Sequence, residues 1–366
     1  MKDIWNEQFK WVKSGDPFTI ARVIRTWRSA PRKTGSGMLI GKRIKKDSLP
    51  KVVGSVSGGC IEAAVIEEAL NVLKTGESRQ IDYGIEDDLA LTVGLSCGGE
   101  ISILVEKHWA FSDDKDTKKV WETLKKNVSN NEPAILFTSL SSKKISKNIN
   151  PQHFLALPNK NLDIPYRFVG NLPSSEKELI TLTKDIYTKR ENKIINICSD
   201  EFFVQIFPRR DQLLIIGAGH ITIPLVRFAK ELDFLTVVID PRTVFSNSDR
   251  FPVAPDHLIP KWPDQILEEW PLNEDTYAIL LTHDPKIDDP ALHILLKKNL
   301  AYIGALGSSK THAKRCKRLN EAGIDNKSIS RIISPAGVDI GGQTAAEIAL
   351  SMIAEVIASK YRKHEQ

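Results

Sequence analysis

Leu213-Leu214-Ile215-Ile216-Gly217-Ala218-Gly219-His220 reads as a buried strand that breaks into a glycine-rich turn and then opens a helix. Outward from it the same alternation repeats. The helix runs to about Leu232, and strands are expected at Leu235 to Ile239, Tyr277 to Leu281 and Ala301 to Ile303, with helices near Asp289 to Lys298 and Lys310 to Glu321. Apolar strands alternating with helices imply a parallel sheet covered on both faces, so residues 208–366 read as a Rossmann-like, doubly wound parallel sheet. Its last helix opens on Thr344-Ala345-Ala346-Glu347, a capping-box spacing ahead of the apolar stripe Ala345, Ile348, Ala349, Met352, Ile353 and Val356.

The turn itself suggests a ligand. Gly217 permits the tight bend, and Gly219 lets a phosphate approach the backbone where the helix end presents free N–H groups. Thr222 stands where a dinucleotide fingerprint has its third glycine. Asp240 ends the next strand, placed to meet a ribose hydroxyl, and Arg242 follows it. Thr282-His283-Asp284 and Gly304 to Lys310, with Gly307 and Ser308, follow later strands and should reach the same sheet edge. His220, expected in the first helical turn, suits hydrogen bonding as a neutral ring. A tight turn with no ligand is the competing reading.

Residues 1–207 read as an α+β domain. Short apolar runs at Phe18 to Ile24, Met38 to Ile40, Val52 to Val56 and Ile101 to Val105 surround a helix from Cys60 to Leu73, whose stripe is Ile61, Val65, Ala69 and Val72. Residues from about 107 to 192 form a variable insertion, the Lys-, Ser- and Asn-rich part to Asp163 being partly irregular. Strand signals return at Ile194 to Ile197 and Phe202 to Phe207, and Pro208-Arg209-Arg210-Asp211 marks the boundary.

Two of the four cysteines adjoin paired glycines, in Ser57-Gly58-Gly59-Cys60 and Ser96-Cys97-Gly98-Gly99. Glycines remove side chains beside the sulfur, so a ligand can come close. Cys60, at the start of a helix, has a thiolate that the helix dipole would stabilise; a small buried hydrophobe is the alternative for either cysteine. Neither has a partner at structural-zinc spacing, whereas a softer metal on an organic ligand needs only one or two thiols. Cys198 reads as core and Cys316 as part of a basic helix.

The bulk numbers narrow the field. In 366 residues, 41% hydrophobic and 27% charged, no run approaches a membrane span, and residues 1–7 lack a secretory core, so a cytoplasmic protein is expected. A net charge of +5 spread among acidic neighbours argues for a small anionic ligand and against nucleic acid or a membrane surface.

As a set, the motifs resemble the XdhC/CoxI proteins. Gly54-Ser55-Val56-Ser57-Gly58-Gly59-Cys60-Ile61-Glu62 and Gly94-Leu95-Ser96-Cys97-Gly98-Gly99-Glu100 are similar to the amino-terminal signature. Gly217 to His220, Asp240-Pro241-Arg242, Arg250-Phe251-Pro252, Thr282-His283-Asp284, Tyr302 to Ser308 and Pro335 to Gly341 resemble the carboxy-terminal Rossmann domain. Ala345 and Ala336 depart from the pattern, at positions that touch packing more than chemistry. The resemblance implies a maturation factor more than an enzyme. Such a chaperone binds molybdenum cofactor as molybdopterin or its dinucleotide, assists sulfuration with a cysteine desulfurase, and delivers the cofactor to an apo-molybdenum hydroxylase such as xanthine dehydrogenase. A homodimer is expected.

With the residues, it places the pterin phosphate at Gly217, Gly219 and His220, with Asp240 and Arg242 fixing the organic portion and His283, Asp284, Gly307 and Ser308 lining the crevice. Cys60 and Cys97, exposed by Gly58, Gly59, Gly98 and Gly99, would contact the molybdenum or relay sulfur. Two rivals stay open. One is an NAD(P)-dependent oxidoreductase, for which the first half offers no evident hydride-transfer acid; the other is a thiol redox protein pairing Cys60 with Cys97.

Overall fold

The structure, a computed structural model, describes residues 4–27, 32–42, 49–83, 100–140, 151–159 and 165–362. They fall into two units, Met1–Arg209 and Arg210–Gln366.

The first unit holds two antiparallel sheets. Strands β1 (Phe18–Trp27), β2 (Gly37–Gly41), β3 (Val52–Gly54), β4 (Arg79–Tyr83) and β5 (Glu100–Lys107) form one, in the order β3-β2-β1-β5-β4. Strands β6 (Ala134–Ser139), β7 (His153–Pro158), β8 (Tyr166–Gly170), β9 (Lys193–Ile197) and β10 (Asp200–Phe207) form the other, in the order β8-β7-β6-β10-β9. Side chains alternate across a strand, so β1 serves two cores at once. Ala21 and Val23 pack against the helix Glu62–Thr75, which presents the expected Val65, Ala69 and Val72. Ile20 faces the other way, into a core shared with Leu136 and Leu155 of the second sheet and with Trp121 of the helix Lys115–Ser129.

The expectation of an irregular stretch from 107 to 163 is corrected here. That region supplies the helix Lys115–Ser129 and strands β6 and β7, all with buried faces. The strands are short apolar runs set among lysines and serines, and the tract 141–150 lies outside the described residues. Cys198 is corrected too: the β9–β10 hairpin bends at it with φ 55°, leaving it exposed.

The second unit is a six-stranded, wholly parallel sheet of β11 (Gln212–Ile216), β12 (Leu235–Ile239), β13 (His257–Ile259), β14 (Thr276–Leu280), β15 (Tyr302–Ala305) and β16 (Ile332–Ile333). The order β13-β12-β11-β14-β15-β16 is that of a doubly wound dinucleotide-type fold. Leu213 and Ile215 feed the core beneath the helix Ala345–Arg362, while Leu214 and Ile216 feed the one beneath the helix Pro285–Leu295. Both faces of β11 are therefore apolar. The capping box forms, Thr344 N donating to Glu347 Oε2 at 2.8 Å and Glu347 N to Thr344 Oγ1 at 3.3 Å. No helix among the described residues is long and apolar enough to cross a membrane.

Candidate functional site

β11 and β14 are neighbours, and the winding reverses between them; in such sheets the carboxyl ends beside the reversal frame the ligand crevice. Gly217 ends β11 with φ 108°, and a Cβ there would stand 2.6 Å from Thr282 Cγ2. Only glycine fits. Gly217 N donates to Ile239 O at 2.8 Å, and buried Thr222 donates its hydroxyl to Gly217 O at 2.7 Å. Thr222 thus closes the turn from within, where a glycine would merely allow the helix closer. Gly219 differs, since a Cβ added there would meet nothing within 4 Å. The amides of Gly219 and His220 have no hydrogen-bond partner among the described residues. His220 is exposed in the turn preceding the helix Thr222–Glu231, a residue or two short of the first helical turn expected for it.

Asp240, expected to meet a ligand hydroxyl, is engaged by the protein's own groups. It is fully buried: Oδ2 accepts from Ala218 N and Arg242 Nη2, each at 2.7 Å, and Oδ1 accepts from Arg242 N and Nε, each at 2.9 Å. Burial alone would raise its pKa, but the hydrogen bonds from Arg242 and Ala218 prevail and lower it. Asp240 thus joins the glycine turn to Arg242. The Arg242 guanidinium lies 4.5 Å from the centroid of Phe245, and its bond to Asp240, with the charges of Asp284 and Asp288, holds its pKa high.

On the same aromatic ring, 5.0 Å from its centroid, lies a second guanidinium, that of Arg250. Its Nη1 donates to Ala218 O at 2.8 Å and to Phe245 O at 3.0 Å, and it has no carboxylate partner among the described residues. In the sequence Arg250 stands within the Arg250-Phe251-Pro252 motif and has no role of its own; that motif was its one signal.

The loops after β14 and β15 complete this edge. His283 is exposed at φ 60°, and Asp284 caps the helix Pro285–Leu295 by accepting from Lys286 N at 2.9 Å. Ser308 caps the helix Ser309–Glu321 by accepting from Thr311 N at 3.3 Å, beside Gly307 at φ 131°. Behind them Thr282 donates to Asp288 at 2.5 Å, and Arg315 donates to Leu306 O at 2.9 Å. Burial raises the pKa of Asp288, against the Thr282 hydrogen bond. The fold therefore brings Gly217, Gly219, His220, Asp240, Arg242, His283, Asp284, Gly307 and Ser308 to one sheet edge. Asp240, Asp284 and Ser308 serve the protein's own amides there.

The Ser57-Gly58-Gly59-Cys60 turn in the first unit has the opposite state. Its helix starts at Glu62, so Cys60 sits in the turn ahead of it and not in the first helical turn. Glu62 curls back into the turn: Oε1 accepts from Ser57 N at 2.9 Å, Gly58 N at 3.1 Å and Ser55 Oγ at 2.6 Å, and Oε2 from Gly59 N at 2.9 Å and Ser57 Oγ at 2.5 Å. Burial would raise the Glu62 pKa, but the Ser55 and Ser57 hydrogen bonds bring it to about 2. The donors expected to serve a thiolate are thus taken by a carboxylate. Ser57 Oγ in turn accepts from Cys60 N at 3.0 Å, which fixes the half-buried cysteine against the core under the helix. A Cβ at Gly59, φ 122°, would meet no neighbour. Cys97, Gly98 and Gly99 lie outside the described residues.

A cleft of about 570 Å³ opens elsewhere in the first unit, bordered by Glu106, His153, Trp109 and Asp114. None of the residues singled out from sequence lines it. At its base Arg22 Nη2 lies 2.5 Å from Glu106 Oε1 and His153 Nε2 lies 3.0 Å from Glu106 Oε2, all between the two sheets. Burial opposes ionisation of Glu106, but the charges of Arg22 and His153 outweigh it and bring its pKa to about 2. Burial drives His108 down to about 3, keeping that ring neutral.

The whole chain has recognisable relatives. A family profile described as the XdhC Rossmann domain matches residues 213–356, and one described as the XdhC and CoxI family matches residues 11–84. A Bacillus subtilis protein, named as a probable xanthine dehydrogenase subunit, is 28% identical over 346 residues, covering 94% of this chain and 93% of its own length. The Escherichia coli molybdenum cofactor insertion chaperone PaoD is 23% identical over 356 residues, covering 96% of this chain and 86% of its own. A crystal structure described as a xanthine dehydrogenase from Bacillus halodurans superposes with a TM-score of 0.76 at 27% identity, spanning 98% of this chain and 96% of that one.

Proposed function

The chain belongs to the XdhC and CoxI family, and from that premise we propose that it is an accessory protein that binds molybdenum cofactor and inserts it into an apo-molybdenum hydroxylase such as xanthine dehydrogenase. One observation carries the reading. The turn at Gly217 leaves the amides of Gly219 and His220 without a partner among the described residues, with no protein atom within 4 Å of a Cβ at Gly219, while the acid that would read a ribose diol is wholly engaged by Arg242 and Ala218. That arrangement suits a ligand held by its phosphate and does not need a nucleoside.

In the second unit, Gly219 and His220 are proposed to hold the phosphate of the cofactor. In the first unit, taken by itself, Cys60, fixed by Ser57 and approached over Gly59, offers a thiol of the right softness, and Cys97 is proposed as its companion in contacting the metal or relaying sulfur. Assistance to sulfuration with a cysteine desulfurase, a cytoplasmic location and a homodimer belong to the same proposal.

The test is to purify the protein from cells that make molybdenum cofactor and assay bound pterin and molybdenum. Co-purification of both, falling at least about tenfold in Cys60→Ala and Cys97→Ala, is the expected result, one lost charge-assisted or metal contact being worth that much. Protein free of pterin from a competent host overturns the reading. The strand order β13-β12-β11-β14-β15-β16 favours a second reading, an NAD(P)-dependent oxidoreductase, which micromolar binding of NAD(H) or NADP(H) would support.

A further inference from the structure

Cys316 differs from the other cysteines described, because an imidazole stands beside its sulfur. Sγ lies 3.4 Å from His312 Nε2, one turn earlier on the helix Ser309–Glu321, which puts a thiol and a base within hydrogen-bond reach. Their i, i+4 spacing sets both side chains on one face of the helix, so the backbone itself fixes the pairing. Cys316 packs against the apolar core of its unit and still keeps part of its surface exposed.

The surroundings suit a nucleophile more than a packing contact. The sulfur is the ring's one polar partner among the described residues, His312 Nδ1 being buried without any. Burial and the charge of Arg315 push the His312 pKa down, so the ring is uncharged at neutral pH and free to take the thiol proton. The helix carries Lys310, Lys314, Arg315, Lys317 and Arg318 against a single acid, Glu321, and surrounding cations favour a thiolate. Cys198, by contrast, is exposed, with Pro173 O at 3.8 Å and no imidazole, and Cys60 is held through its amide on Ser57 Oγ. Cys316 is the one cysteine in residues 210–366, so its unit holds no second thiol with which to close a disulfide.

From this pairing we propose that Cys316, with His312 as its base, is a nucleophilic thiol that accepts sulfane sulfur from a persulfide donor. The thiolate attacks the outer sulfur of R–S–SH: a new S–S bond forms at Cys316, the donor's S–S bond breaks, and the donor leaves as R–S⁻, which takes the proton that His312 held. The product is Cys316–S–SH, with no net oxidation. The inference rests on the proposed function in one respect: there, the donor is the persulfide of a cysteine desulfurase.

The experiment uses the full chain, as wild type, His312→Gln and Cys316→Ser. Alkylation by iodoacetamide at pH 7 is followed site by site by peptide mass spectrometry. Cys316 is expected to react faster than the more exposed Cys198, and His312→Gln to slow Cys316 about tenfold while leaving Cys198 unchanged, since an unassisted thiol is only a few per cent thiolate at that pH. The chain is then incubated with glutathione persulfide and, separately, with a cysteine desulfurase and free cysteine. The expected result is one added sulfur atom on the Cys316 peptide, reversed by dithiothreitol, slowed in His312→Gln and absent from Cys316→Ser. Cys316 reacting no faster than Cys198, or equally fast in His312→Gln, overturns the proposal, as does sulfur found on other cysteines and not on Cys316. The first of these comparisons needs wild type alone, so it decides even where His312→Gln does not fold. Bound pterin, assayed on the same preparation, separates the two readings. Pterin on a protein whose Cys316 is inert overturns this inference and leaves the chaperone reading standing; a Cys316 persulfide on pterin-free protein from a cofactor-making host upholds this inference and overturns the chaperone reading.

Discussion

The two glycine-rich turns follow one sequence grammar and end in opposite electrostatic states. Each is a glycine turn feeding a helix. At Ser57 to Cys60 the backbone amides converge on Glu62, a carboxylate of the same chain. At Gly217 to His220 the nearby carboxylate, Asp240, takes only the amide of Ala218 and turns its other bonds to Arg242, so the next two amides have no partner among the described residues. A glycine turn therefore announces an anion, and the surrounding carboxylates decide whether that anion is internal or a ligand.

The strongest way to break this contrast is to fill Gly217. Gly217→Val should cost about 3 kcal/mol or more, from backbone strain at φ 108° and the clash with Thr282, read as a lower urea midpoint. Next comes Glu62→Ala, which strands the donors of Ser57, Gly58 and Gly59; a loss of about 2 kcal/mol is expected in the same assay, with faster alkylation of Cys60 as its turn loosens. Glu62 also confers a pH dependence. Its pKa is lowered to about 2, so its contribution is complete above the ordinary carboxylate value of ~4.3 and is lost as the pH falls toward about 2. Urea midpoints at pH 7 and pH 3 should therefore differ more in wild type than in Glu62→Gln. The smallest change in stability belongs to Gly219→Ala, within about 0.5 kcal/mol because the added methyl meets no protein atom, yet it should reduce pterin retention by crowding the open face. Equal retention would mean that the face is not the ligand's.

Much of the second unit was legible because its signals are local. Buried runs such as Leu213 to Ile216 specify strands, and the glycines after them specify turns, without knowledge of what lies opposite. The second sheet of the first unit was harder to read. β6 and β7 are brief apolar runs among lysines and serines, and their burial depends on a partner sheet distant in sequence. The site was legible as a set of positions and much less as a set of roles. Asp240, Asp284 and Ser308 are where an acid or cap would meet a ligand, but each bonds amides of its own chain.

Local order was thus written in the chain itself: the strand, turn and helix at Gly217, the helix behind Cys60, and the closing capping box depend on neighbours a few residues apart. The assignment of charge was not. Glu62 turns back on its own turn, Asp240 is bonded by Arg242, and Arg250 has no carboxylate partner among the described residues, because a side chain's partner is set by folded distance. A charge finds its counter-charge through space, at a few ångströms, whatever the separation along the chain.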